Sequence, residues 1–285
     1  MWVLFASLNP ISEGIRSVFI KKASKEFDSI VISWANNLLP VICFTPMLFF
    51  IDLKFNNLFW IGLFGSSIIN VAANILYMRS ISKGDISSVM PMQSFAPIFL
   101  LISSPFILGE FPNFVGLIGI ILGFVGSYLL NLDLRKHGIF YPFKSLVKDK
   151  GTRYMLIVAF LWSISANFDK IAIKNSSTWQ HMAFTNIIIF TTISILINTN
   201  KKFRIKSFSG NKKYLLIISA FTVGSYIFHM TALSLTLAAY VIAMKRMSGV
   251  ISVFLGNLFL KEANLRQRLL GAVVMFLGVL LIVFS

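Results

Sequence analysis

Apolar runs of about 20 residues follow one another along the chain, separated by short polar stretches. As a helix, a run of that length crosses roughly 30 Å of hydrocarbon at 1.5 Å rise per residue. Ten such runs lie near 2–21, 30–51, 57–79, 86–108, 112–131, 153–173, 179–199, 214–235, 237–260 and 265–285. They do not alternate apolar with polar residues, as strands of a membrane barrel would. The pattern predicts an all-α membrane protein with ten transmembrane helices. Pro10, Pro40, Pro46, Pro91, Pro97 and Pro105 fall inside the runs. Membrane helices tolerate proline where neighbours satisfy the freed carbonyls.

Composition agrees with this pattern. Of 285 residues, 56% are hydrophobic and 13% charged, and the mean hydropathy is +0.80. A water-soluble surface needs more charge. The net charge of +16 would suggest nucleic acid in a soluble protein. In a membrane protein it marks cytoplasmic loops instead, so no nucleic-acid partner is expected. Twenty Lys and Arg lie on connections from odd to even runs, against Lys54 and Lys174 on the others. That bias puts the richer loops in the cytoplasm and both termini outside, in a multi-pass plasma-membrane protein. The two most basic loops also suit anionic lipid head groups. Cys43 is the single cysteine, so no internal disulfide forms. The N-terminus has no basic signal-peptide start and is expected to be kept as the first span.

The two halves resemble each other. "LGEFPNFVGLIGIILGFVGSYLL" (108–130) matches "LKEANLRQRLLGAVVMFLGVLLI" (260–282) at an offset of 152, with Glu110/Glu262, Gly119/Gly271 and Gly126/Gly278 among seven identities. "ASLNPISEGIRSVFIK" matches "AFLWSISANFDKIAIK" at 153, with Ser12/Ser165 and Lys21/Lys174 among the identities. The expected units are a first repeat, 1–131, a basic cytoplasmic linker, 132–152, and a second repeat, 153–285. Five spans is an odd number, so the second copy enters the bilayer from the opposite face. Inverted repeats are the mark of secondary transporters, whose site lies near the midplane between the halves.

Those repeat ends, together with "MKRMSGVISVFLGNLFLKEANLRQRLL" in the ninth and tenth spans, resemble the EamA-type proteins of the drug/metabolite transporter superfamily. The resemblance covers essentially the whole chain. It rests on a glutamate between the fourth and fifth spans of each half (Glu110, Glu262), on the glycines of the fifth spans, and on a basic residue in the ninth span before small residues. It implies export of amino acids or other small metabolites; some relatives handle nucleotide sugars or lipid-linked sugars. Many ten-span members keep both termini inside, whereas the lysines here place them outside.

Lys245 and Arg246 sit side by side about eight residues into the ninth span. A cation at the bilayer centre costs about 2.5–3.5 kcal/mol on insertion scales. They are the leading candidates for substrate binding, with Glu13 or Asp169 as a structural partner of one of them. At the repeat offset Gln93 matches Lys245, Asn74 matches Tyr226 and Tyr77 matches His229. Gln93, Asn74, Tyr77, Tyr226 and His229 therefore join the candidate site, and Trp162 could form an aromatic wall. The competing reading of each is ordinary interhelical hydrogen bonding, worth around 0.6 kcal/mol.

Glu110 and Glu262 are expected to serve structure at the starts of the fifth and tenth helices, where the helix dipole favours a carboxylate. Glu13 and Arg16 are spaced to pair (i, i+3). Arg16, Asp169 and Lys170 are placed to snorkel toward the membrane surface. Gly116, Gly119, Gly123 and Gly126 form a stripe for close helix packing within the chain.

No enzyme or nucleotide-binding motif is present. The three histidines are too scattered for a metal site. The sequence therefore predicts a secondary transporter, not an enzyme, exporting a small polar metabolite such as an amino acid or other organic anion by alternating access. Its partners are that small-molecule substrate and the lipid bilayer, as a monomer or homodimer. No cofactor is expected, and any coupling would be to a proton or Na⁺. The alternatives are a flippase for a lipid-linked sugar or lipid, and a membrane-embedded enzyme or non-transporting scaffold.

Overall fold

The computed structural model describes residues 1–83, 86–131, 138–199, 210–251 and 265–285. Every regular element among them is helical. In chain order these are α1 Trp2–Ala23, α2 Ser29–Phe44 with a 3-10 turn Thr45–Phe49, α3 Asn57–Lys83, α4 Ile86–Gln93, α5 Ala96–Leu108 and α6 Phe114–Asn131. Then follow α7 Tyr141–Lys148, α8 Lys150–Lys174, α9 Thr178–Thr199, α10 Lys212–Leu235, α11 Ala238–Lys245 and α12 Leu265–Val283. Short polar side chains cap the starts of α3, α8 and α10. Asp149 accepts bonds from the Gly151 and Thr152 amides at 3.0 and 2.9 Å. Asn211 accepts from the Lys213 amide at 3.1 Å, and Asn56 from the Phe59 amide at 2.7 Å. Each satisfies amides that the first turn leaves free. Helix α5 ends at Gly109, whose φ of 67° suits glycine best.

Two expected spans are corrected by the structure. The run 86–108 is broken at Ser94 and Phe95. The Ser94 amide bonds the Pro91 carbonyl and the Phe95 amide the Met92 carbonyl, a tightened i to i+3 turn. Pro97 follows, and it has no amide with which to continue the ladder. The run 237–260 is broken at the matching place, after Lys245. There the Arg246 amide bonds the Ala243 carbonyl and the Met247 amide the Met244 carbonyl. This second break has no proline and coincides with the Lys-Arg pair. Residues 252–260 of that run lie outside the described residues. The run 30–51 finishes as the 3-10 turn, and the linker 132–152 holds α7, a short helix.

Helix α1 packs along α10, and α8 along α3. Helix α6 packs on α12, α2 on α9, and α5 on α8. The α6–α12 contact shows what the glycine stripe is for. A Cβ on Gly126 would stand 2.5 Å from the Met275 amide nitrogen, and one on Gly119 2.7 Å from the Gly278 carbonyl oxygen. The two backbones meet where the matched glycines of both halves face each other.

Five stretches are long and apolar enough to cross a membrane: Ile30–Phe49, Val89–Leu108, Lys150–Lys174, Thr178–Thr199 and Lys212–Leu235. Phe114–Leu130 and Leu269–Val283 are shorter apolar helices. Helices α1 and α3 are long but carry Asn9, Glu13, Ser66 and Ser67, which are buried against neighbouring helices. Large apolar side chains such as Phe49, Phe64, Phe106 and Phe276 cover the outside. An apolar exterior around a polar interior is what hydrocarbon as solvent demands.

Candidate functional site

Asn9, Glu13 and Arg16 stand at i, i+4 and i+7 on α1 and share one face of it. Arg16 forms a short ion pair with Glu13 Oε2 and donates through Nη1 to Asn36 Oδ1 on α2 at 3.2 Å. Thr222 of α10 donates to the same Asn36 oxygen at 2.6 Å. Ser225, one turn on, donates to Glu13 Oε1 at 2.6 Å. Its hydroxyl and carbonyl both accept from Asn9 Nδ2, at 3.0 and 2.9 Å. Lys245, at the broken end of α11, brings Nζ to 3.7 Å from Glu13 Oε1. One buried carboxylate thus gathers two cations from different helices.

The Lys245 side chain is 27% exposed and that of Arg16 21%, against 11% for Glu13. The cations, not the carboxylate, are the accessible groups. Arg246 Nε and Arg16 Nε are buried with no hydrogen-bond partner among the described residues. No carboxylate of the described residues lies within ion-pair distance of Arg246. Tyr77 and Glu13 act on it electrostatically. An arrangement of guanidinium and ammonium groups with spare donors suits a carboxylate or phosphate.

A second polar centre occupies the α3–α8–α9 contact. Asp169, expected near the membrane surface, is buried. Its Oδ1 meets His181 Nε2 of α9 at 2.9 Å and takes a short bond from the Ser66 hydroxyl of α3. Asn70 donates to Ser165 at 2.8 Å and to Ser66 at 3.2 Å, which ties the centre together. Lys170 is buried as well and does not snorkel. Its Nζ bonds Glu110 Oε2 at 2.6 Å and the Thr236 carbonyl. Lys174 holds the other oxygen, Glu110 Oε1, at 2.9 Å.

Glu110 therefore does not cap the fifth span. Asn113 does, by accepting from the Gly116 amide at 2.8 Å. Glu110 instead clamps the α5–α6 loop to α8, and Lys170 joins that clamp to the α10–α11 corner. Partial burial works against its charge, but the bonds from Lys170 and Lys174 outweigh that and hold the carboxyl below its usual value. Glu262 lies outside the described residues.

The other candidates are placed as follows. Tyr77 and Trp162 pack ring against ring, with centroids 5.6 Å apart. Asn74 is half-buried one turn before Tyr77 on α3. Gln93 is the last residue of α4, half-buried at the break. Tyr226 lies edge-on to Phe44 at 6.3 Å. His229 is buried, and its Nδ1 has no partner among the described residues. Lys245, Glu13 and Asp169 all act electrostatically on His229. Asn36 and the Asp169–His181 pair do not follow from repeat symmetry. The signal in the sequence was the set Asn9, Glu13 and Arg16 on one face of an apolar helix.

Fold and site together define a multi-pass helical membrane protein with charged groups held in its interior. The profile of the EamA-like transporter family matches residues 1–132 and 149–284, and the chain belongs to that family. A transporter's role in the membrane follows from this. No curated protein matches the chain. Among solved structures, one described as "Crystal structure of protein" is similar over 99% of this chain and 97% of its own. Its TM-score is 0.71 at 10% identity, a likeness of fold alone.

Proposed function

We propose that the protein is a secondary transporter of ten spans, built as two inverted five-helix repeats. It exports a small polar metabolite bearing a carboxylate or phosphate, such as an amino acid or other organic anion. The observation that carries the substrate class is the excess of accessible cation. Arg16, Lys245 and Arg246 gather where Glu13 is the near carboxylate, and Lys170 is withdrawn to Glu110. An anion entering beside Lys245 would use the donors that Glu13 leaves over. Lys245, Arg246, Gln93, Asn74, Tyr77, Tyr226, His229 and Trp162 line its path in this reading.

Two observations support alternating access. The pairing of α1 with α10 recurs as α8 with α3 when the halves are exchanged. Both halves also break their fourth span at the matching residue, and broken helices at matching places mark transporter binding sites. With the basic loops inside, the Glu110–Lys170 clamp lies toward the outer face and joins the halves there. The test is uptake by vesicles containing the purified protein, offered a pool of amino and organic acids and read by mass spectrometry. Selective accumulation of an acid supports the reading. No movement of any solute, with a lipid carrier translocated instead, overturns it in favour of a flippase.

A further inference from the structure

We propose that the buried Asp169–His181 pair is the proton site that couples transport to a proton gradient. This rests on the reading of the chain as a secondary transporter. The carboxylates of the two polar centres are compensated differently. Glu13 meets Arg16 and Lys245, a guanidinium and an ammonium. Asp169 has one basic side chain within ion-pair distance among the described residues, the imidazole of His181, and both are buried. At the repeat offset of 153, Asp169 occupies the place of Arg16. A fixed cation in one half is thus replaced in the other by a carboxylate with a titratable partner.

The charge of this centre is set by a single proton. With Nε2–H donating to Asp169 Oδ1 and Nδ1 bare, the pair carries one negative charge. Thr185 Oγ1 stands 3.3 Å from Nδ1. A proton arriving from water forms the Nδ1–H bond and leaves an imidazolium beside a carboxylate, with no net charge. Return to water from the same atom breaks that bond and restores the negative charge. An uncompensated buried charge is costly and a paired one much less so. Protonation therefore changes which packing of α3, α8 and α9 is favoured, and a ligand that distinguishes two states shifts their populations.

The surroundings leave this role to the pair. On α8 itself, Lys170 is turned to Glu110 and Thr236. Helix α3 presents Ser66 and Asn70, and α9 adds Thr185. Helix α5 meets α8 through Ser103 and Ser104, which bond Asn167. Helix α4 (ISSVMPMQ) contains no titratable residue, and α7, with Tyr141, Lys144 and Lys148, packs near the start of α8. From α10, Tyr226 and His229 feel Asp169, and from α11 so does Lys245. Lys245 and His229 also feel Glu13. A proton on the pair is thereby sensed at Lys245.

Two experiments test this. In the first, purified protein with ¹⁵N-labelled histidine is titrated by NMR, and comparison with His181→Gln assigns the ring signal. The proposal expects a His181 signal that moves reversibly with pH; a signal that stays fixed overturns it. In the second, vesicles loaded with a pH-sensitive dye take up a labelled amino-acid pool with and without a pH gradient. Wild type should respond to the gradient by about fivefold or more. Asp169→Asn and His181→Gln should keep exchange without a gradient yet lose that response and the proton flux. Variants that respond like wild type overturn the proposal. If wild type moves no label at all, the transporter reading fails, and the NMR titration still decides whether the pair takes up a proton.

Discussion

Lys245 Nζ lies 3.7 Å from Glu13 Oε1, so a cation from the ninth span is held by a carboxylate of the first. The two residues come from opposite halves of the chain. At 3.7 Å the contact is loose enough for a ligand carboxylate to compete for the ammonium, while Arg16 and Ser225 keep Glu13 satisfied.

Lys245→Ala should therefore abolish transport without loss of folded protein. Uptake should fall at least about tenfold, since a charge-assisted bond is worth about 1.5–3 kcal/mol. Size-exclusion profile and melting temperature should stay close to wild type. Wild-type uptake in this variant would remove Lys245 from the site. Glu13→Gln should instead lower stability, because it leaves Arg16 and Lys245 without their shared anion.

The Glu110 clamp gives a pH signature. Its carboxyl is held below its ordinary value of 4.5, so the stabilisation is present above that pH and is lost as pH falls through the lower, folded value. Wild type should be more stable than Glu110→Gln at pH 7, by up to about 1 kcal/mol after allowance for partial exposure. The gap should shrink well below pH 4.5. Thermal unfolding in detergent at the two pH values measures it. A gap that does not change with pH would contradict the clamp.

Gly126→Leu should disrupt the α6–α12 contact, since the Cβ alone would stand 2.5 Å from the Met275 amide nitrogen. Overpacking of this kind costs about 1–3 kcal/mol. Gly123→Ala, where a Cβ meets nothing within 4 Å, should be close to neutral. Equal melting temperatures for the two variants would contradict the packing.

Orientation can be read with a reporter active only in the cytoplasm. Fused after Ser285 it should be inactive, because the lysine bias predicts that both termini face outside. Activity would reverse the orientation and place the Glu110 clamp at the cytoplasmic face.

The sequence made the helical runs, the glycine stripe and the Glu13–Arg16 pair legible because all three are local spacings on one helix or repeats at one offset. The break at Ser94 carried a sign in Pro97, but the break after Lys245 carried none. Asp169 and Lys170 looked like residues of a helix end, since position in a span says nothing of what another helix brings to it. His181 on α9 and Glu110 on the α5–α6 loop make them buried pairs. The partners of Glu110 were hidden for the same reason: they lie 60 and 64 residues away. Partners so remote in the chain leave no periodicity behind.

The most direct measurement is counterflow in vesicles preloaded with a mixed pool of unlabelled amino and organic acids, with wild type and Lys245→Ala side by side. Wild-type vesicles should accumulate label from at least one acid, and the variant should not. Accumulation equal in both, or absent in wild type while a labelled lipid-linked sugar crosses the membrane, would contradict an anion site at Lys245.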